Sequence, residues 1–490
     1  MVNKHEEECQ MIRKSMKKLV PAAVVAAVAV TSFTPSAPAE AHGNGKAEVH
    51  KEHKNPGKGK GKDKDKDKEK DAPKNVIFLI GDGVGTSYTS AYRYLQDDPS
   101  ARFADEMSFD SYLVGQQMTY PEDAQQNVTD SASAATAMAA GIKTYNNAIA
   151  VDNDESEVKT VLEAAKEQGK ATGLVASSEI THATPASFGA HDISRRNMNA
   201  IADDYFDERI DGEHKIDVLL GGGTKLFDRT DRDLTEEFQE SGYGYVTSKE
   251  ELFANEDGQV LGLFAEGGLP KMIDREDSVP SLEDMTRSAI DRLKQDEDGF
   301  FLMVEGSQVD WAGHDNDIVA AMSEMEDYDL AFQAAIEFAK QDENTLVVAT
   351  ADHSTGGFSI GADGVYNWFA EPILAAQRTP DFMASEIAEG AGVEDTLQRY
   401  IDLDLTEEEI ASVKKAADKG EYLDIDNAIE RIFDQRSHTG WTTGGHTGED
   451  VPVYAYGPAS QKFAGQLDNT DHAGIIFDLM GAEVTIDDKQ

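Results

Sequence analysis

Phe300-Phe301-Leu302-Met303-Val304-Glu305-Gly306-Ser307-Gln308-Val309-Asp310-Trp311-Ala312-Gly313-His314 sets the architecture of this chain. Its first five residues form a short apolar run that reads as a buried strand. The run delivers Glu305 and then, within ten residues, Asp310 and His314. If the segment after Gly306 is helical, the spacing of four turns Asp310 and His314 toward one ion, and a carboxylate with an imidazole suits zinc. Glu305 offers the oxygen chemistry that magnesium prefers.

Working outward, five more short apolar runs, Val76 to Ile80, Leu174 to Ala176, Val218 to Leu220, Leu346 to Thr350 and Val453 to Tyr456, alternate with helical patterns. That alternation predicts an α/β fold, a three-layer α/β/α sandwich around a large, mostly parallel central sheet. In such folds ligands collect at the carboxyl ends of the strands. A helix-rich insertion is expected over 360–440, with a capping box at Thr406-Glu407-Glu408-Glu409. No internal repeat at a solenoid period is visible.

The strand tips carry chemistry. Val76 to Ile80 runs into Gly81-Asp82-Gly83-Val84-Gly85, where flanking glycines permit close approach to a carboxylate; alone, Asp82 fits a turn or a helix cap equally well. Leu346 to Thr350 runs into Ala351-Asp352-His353-Ser354-Thr355-Gly356-Gly357. Gly444-Gly445-His446-Thr447-Gly448-Glu449 adds a loop histidine, so nitrogen and oxygen ligands suffice for two zinc sites. Thr129-Asp130-Ser131-Ala132-Ser133-Ala134 reads as the start of a small-residue helix with Ser131 in its first turn, where free amides and the positive end of the helix dipole favour a phosphate.

Taken in order, Gly81-Asp82-Gly83, Asp130-Ser131, Thr184-Pro185, Glu305 through His314, Asp352-His353 and His446-Thr447-Gly448 resemble the alkaline phosphatase family, across essentially the whole chain after Asn75. The resemblance implies hydrolysis of phosphate monoesters through a phosphoserine at Ser131, with two zinc ions and one magnesium. It implies that Asp310, His314 and His446 bind one zinc and that Asp82, Asp352 and His353 bind the other, with Ser131 as its fourth ligand. Asp82, Thr184 and Glu305 would serve magnesium, and Arg195 would clamp phosphate, with Arg196 as its competitor. The resemblance also implies a homodimer. Two positions depart from the best-known bacterial pattern, which has an aspartate where His182 stands and a lysine where Trp311 stands. Both changes alter the surroundings of magnesium and leave open whether a third zinc competes there. A phosphodiesterase or sulfatase of related architecture, and a non-catalytic exported scavenger of metal or phosphate, remain the rivals.

Composition bounds the setting. Net charge is −48; residues 1–74 hold 16 Lys and Arg against 11 Asp and Glu, which leaves 29 against 82 over 75–490, a net of −53. Such a surface repels nucleic acid, so small phosphate esters rather than nucleic acid are the expected partners, and bound metal ions must supply the local positive charge. The same charge predicts salt tolerance, because salt screens self-repulsion within about 8–10 Å at ordinary ionic strength.

Residues 1–41 read as a secretory signal peptide: Arg13, Lys14, Lys17 and Lys18 precede the apolar stretch Leu19 to Phe33 and the site Ala39-Glu40-Ala41, while Pro21, Pro35 and Pro38 argue against a buried helix. A secreted protein, extracellular or periplasmic, starting at His42 is expected. The sole cysteine, Cys9, falls in the leader, so no disulfide is expected and bound metal is one alternative source of stability. Residues 42–74 form a Gly/Lys/Asp-rich arm expected to be a solvated spacer, ahead of a catalytic domain over 75–490. No apolar run reaches the roughly 18 residues a membrane span needs.

Overall fold

Strand β1, Asn75–Gly81, is buried at every position. Val76, Phe78 and Ile80 enter one hydrophobic core while Ile77 and Leu79 enter another, which is what a strand covered on both faces requires. The structure is a computed structural model describing residues 72–98 and 100–482. The expected leader, and the arm up to residue 71, lie outside the described residues.

β1 lies inside a ten-stranded sheet with β2 (Leu113–Met118), β3 (Ala171–Glu179), β4 (Val218–Gly222), β5 (Gly244–Val246), β6 (Val260–Leu263), β7 (Phe300–Gly306), β8 (Thr345–Ala351), β9 (Val451–Tyr456) and β10 (Gly465–Asp468). The order is β10-β2-β9-β8-β1-β7-β3-β4-β6-β5. β9 runs antiparallel to both its neighbours; all the other pairings are parallel. The mostly parallel sheet expected from the sequence is therefore present. The short β5, β6 and β10 and the half-exposed β2 escape sequence reading, since none forms a long apolar run.

Helices cover both faces. One carries α1 (Thr86–Gln96), α4 (Leu282–Leu293) and α6 (Ile318–Asp342); the other carries α2 (Ser131–Ala140), α3 (Ala183–Gly189) and α10 (Thr470–Met480). Between β8 and β9 the insertion contributes α7 (Pro380–Ala388), α8 (Glu407–Ala417) and α9 (Tyr422–Ser437) to the first of these layers. Thr406 closes the capping box with Glu409 at the start of α8. No helix among the described residues is long and apolar enough to cross a membrane.

Register positions the site. Gly81 pairs with Ala351 on one side and Gly306 on the other, so β1, β7 and β8 end level. The residues that follow those strand ends emerge at one edge. α5 (Gln308–Asp315) begins immediately after β7.

Candidate active site

Ser131 opens α2, a helix of small residues buried along its whole length. Asp130 caps it by accepting from the Ser133 amide through Oδ1 at 3.0 Å, and its Oδ2 takes Arg195 Nη1 at 3.0 Å. One carboxylate thus ends the helix and anchors a guanidinium beside the serine. Arg195 Nη2 donates to His182 Nε2 at 3.2 Å, whereas Arg196 is exposed. Ser131 Oγ is buried 3.3 Å from His353 Nε2 and 3.5 Å from Asp82 Oδ2.

The sequence candidates converge in three groups whose ligand atoms lie within 4.8 Å of one another: Asp310, His314 and His446; Asp82, Asp352 and His353; and Asp82, His182 and Glu305. In the first group the helical spacing holds, with His314 Nε2 3.4 Å from Asp310 Oδ2. His446 Nε2 is 3.5 Å from Asp310 Oδ1 and 3.1 Å from His314 Nε2. His314 Nδ1 donates to the Gly444 carbonyl at 2.7 Å, and His446 Nδ1 donates to that of Thr129 at 2.8 Å. Those carbonyls fix both rings with Nε2 facing inward, the arrangement of a metal-ligating imidazole.

In the second group the His353 ring stacks on that of His446 with centroids 3.6 Å apart. The amides of Gly83 and His353 hold Asp352 Oδ1 at 3.1 and 2.9 Å. Gly83 has φ +76°, and a Cβ there would stand 2.7 Å from Asp310 Cα, so both the turn and the close approach require glycine.

In the third group, Ser307 and Ser178 hydroxyls donate to Glu305 Oε2 at 2.6 and 3.2 Å, with Thr184 close by. Asp82 Oδ1, Asp352 Oδ2, Glu305 Oε1, Thr184 Oγ1 and His182 Nδ1 are buried without a hydrogen-bond partner. Leaving so many polar atoms unsatisfied is costly, and the donor set of carboxylates, imidazoles and one hydroxyl fits divalent cations at these positions.

Electrostatics make the same demand. Burial, then Asp352, Asp310 and Glu305, hold Asp82 well above the ordinary carboxylate range. Burial, then Asp310, pushes Asp352 up to about 6, and burial pushes Glu305 up to about 7. Burial also raises Asp310, but the His314 hydrogen bond and the fields of His353 and His446 outweigh it and hold Asp310 far below its usual value. The Asp310 hydrogen bond lifts His314 to about 9. Without cations the cluster keeps protons that metals would displace.

Several contributors carry no signal in the sequence. Thr355 donates a short hydrogen bond to Asp310, and Ser178, Ser307, Thr129 and Gly444 orient the predicted groups. The two departures noted in the sequence are both present here: His182 joins Asp82 and Glu305, and Trp311 meets the His182 ring edge to face at 5.9 Å.

The family model described as alkaline phosphatase matches residues 73–481. Alkaline phosphatase 3 of Bacillus subtilis is 64% identical over 481 residues, which cover 98% of this chain and all of the relative. Alkaline phosphatase of Escherichia coli is 32% identical over 452 residues, 81% of this chain and 84% of its own. The crystal structure of a cold-active alkaline phosphatase from a psychrophilic Shewanella sp. matches with a TM-score of 0.78 at 40% identity, covering 83% of this chain and 99% of that one.

Proposed function

The chain belongs to the alkaline phosphatase family and hydrolyses phosphate monoesters, and on that basis we propose that Ser131 is the nucleophile of a phosphoserine pathway. The observation that carries this is the convergence of Asp82, Asp352 and His353, beside Asp310, His314 and His446, on a buried serine hydroxyl at a helix N-terminus. Asp310, His314 and His446 would hold one zinc, and Asp82, Asp352 and His353 the second. Asp82, Glu305 and Thr184 would hold magnesium, with His182 as an added nitrogen. Bound there, the cations supply charge that favours the alkoxide of Ser131 and neutralises phosphoryl oxygens.

The chain's own residues do the rest. Ser131 Oγ attacks phosphorus in line, the P–O bond to the alcohol breaks, and the alcohol leaves with a proton while the serine proton passes to solvent. Water then attacks phosphoserine, releasing inorganic phosphate and restoring the hydroxyl. The α2 amides and the Arg195 fork, anchored by Asp130, orient the non-bridging oxygens. Side-by-side rates on a phenyl monoester and its diester test the substrate class, and labelled phosphate trapped on Ser131 at acidic pH tests the pathway. A diester preference, or label on another residue, would overturn the corresponding half.

Arg195→Ala is expected to lower kcat/KM for the monoester by about 10- to 100-fold and to weaken phosphate inhibition, because charge-assisted hydrogen bonds are lost. Arg196→Ala should leave both unchanged, and steady-state kinetics with phosphate as competitor checks the pair. His182→Asp replaces a nitrogen that suits zinc with an oxygen that suits magnesium. Magnesium needed for half-reactivation of the chelated protein, at fixed zinc, should fall about tenfold or more.

The leader pattern supports export, and the charge of −53 over 75–490 supports activity that survives high salt. The family resemblance supports a homodimer, which sedimentation of the purified protein checks.

A further inference from the structure

A second acidic cluster shares no residue with the three groups around Ser131, although Asp315 directly follows His314. Asp315 ends α5, Asp381 lies in the first turn of α7 and Asp426 lies in α9, yet one carboxylate oxygen from each falls within 4.8 Å of the others. Acidic side chains often crowd on so negative a protein, and crowding alone says nothing. What sets this cluster apart is Asp426: it is 0% exposed, and neither carboxylate oxygen has a hydrogen-bond partner.

Two neighbours repeat the pattern. Glu430, one turn further along α9 and buried, has Oε1 without a partner. Asp317 caps α6 through Oδ1, which accepts from the Val319 and Ala320 amides at 2.8 and 3.0 Å, while its buried Oδ2 has no partner. Asp381 accepts from the Tyr422 hydroxyl through Oδ1. Lys271 lines the adjoining cavity of about 360 Å³ together with Trp311, His314, Asp315, Asp317 and Asp381, and its Nζ reaches the Gln308 carbonyl at 3.4 Å.

Buried carboxylates without donors need either protons or a cation. The geometry suits a cation with flexible, oxygen-rich coordination: two ligands on opposite sides of a calcium ion at about 2.4 Å are about 4.8 Å apart, and calcium accepts irregular sets of carboxylates from separate elements. Magnesium demands a tighter octahedron at about 2.0–2.1 Å. We propose that Asp315, Asp381 and Asp426, backed by Asp317 and Glu430, form a calcium site that ties the helical insertion to the helix carrying His314. The site is independent of the chemistry assigned to Ser131.

The test is equilibrium binding of calcium to full-length protein kept replete with zinc and magnesium, paired with thermal unfolding. One calcium per chain should bind at up to about 1 mM, and the melting temperature should rise by about 1–3 °C. Asp426→Asn, and separately Asp381→Asn, should weaken binding at least about tenfold and abolish the rise. Without calcium, Asp426→Asn should melt no lower than the unaltered protein, because the neutral amide removes the cost of protonating a buried carboxylate. Failure of the unaltered protein to bind calcium would overturn the site and show that protons fill the cluster. Calcium binding unchanged in both variants, or an Asp426→Asn variant that melts lower without calcium, would likewise overturn it. Monoester hydrolysis measured alongside separates these outcomes from any failure at Ser131.

Discussion

Ser131→Ala is expected to lower turnover of a phenyl phosphate monoester by about 10⁴-fold or more, the scale on which loss of an enzyme nucleophile acts. The change removes one oxygen and keeps Cβ, so packing inside α2 is preserved. Asp130, not Ser131, caps that helix, and stability should change by less than about 1 kcal/mol. Six of the expected zinc ligands, Asp310, His314, His446, Asp82, Asp352 and His353, remain, so zinc content should stay near that of the parent. Turnover, bound zinc and phosphate labelling measured on one preparation separate lost chemistry from lost structure. Near-parental turnover would remove Ser131 from its role, and labelling should vanish with turnover.

Stripping the metals is expected to abolish hydrolysis and also to make stability fall as pH rises. Asp352 and Glu305, with ordinary values of 3.8 and 4.5, sit at about 6 and about 7 in the folded chain. Groups raised in this way hold protons more tightly when folded. Their contribution is fully present below the unfolded values and is lost as pH climbs through about 6 and about 7. His314, raised from 6.5 to about 9, adds the same slope at higher pH, fully present below 6.5 and lost through about 9. Asp310 acts oppositely: its value is depressed, so its contribution is present above 3.8 and is lost only in strong acid.

His182 and His353, held below 6.5 by burial, oppose that slope up to about pH 6.5, so the net loss should emerge between about pH 6.5 and 9 and, with the exposed His314 discounted for solvent screening, be on the order of 1–2 kcal/mol. Thermal unfolding of chelated protein across that range reads it directly, and zinc with magnesium should flatten the curve because cations replace the protons. Returning zinc at pH 8 should release at least one proton per chain, chiefly from His314, measurable in a pH-stat. A chelated protein whose stability does not depend on pH would remove the electrostatic basis for the metal cluster.

The legible and illegible parts of this protein divide along a physical line. β1, β7 and β8 are readable because each is a short run of bulky apolar residues buried on both faces, and their tips are readable because Asp82, Glu305 and Asp352 directly follow or end those runs. The Asp310–His314 pair is readable because four residues make about one helical turn, as α5 bears out. β2 is not, since Gln116 and Gln117 interrupt its apolar character, and its place between β9 and β10 comes from segments more than 300 residues away.

Local pattern therefore suffices for residue type, element type and the order of the strand-tip motifs, because propensity and burial periodicity act over a few residues. Convergence depends on the folded chain: level strand ends at Gly81, Gly306 and Ala351 gather the carboxylates and imidazoles, carbonyls of Thr129 and Gly444 aim two of those rings, and His182 comes to rest beside Asp82 and Glu305. The meeting of Asp315, Asp381 and Asp426 has the same origin. Three helices far apart in sequence pack so that their carboxylates share one small volume, and no local preference encodes a distance between distant segments.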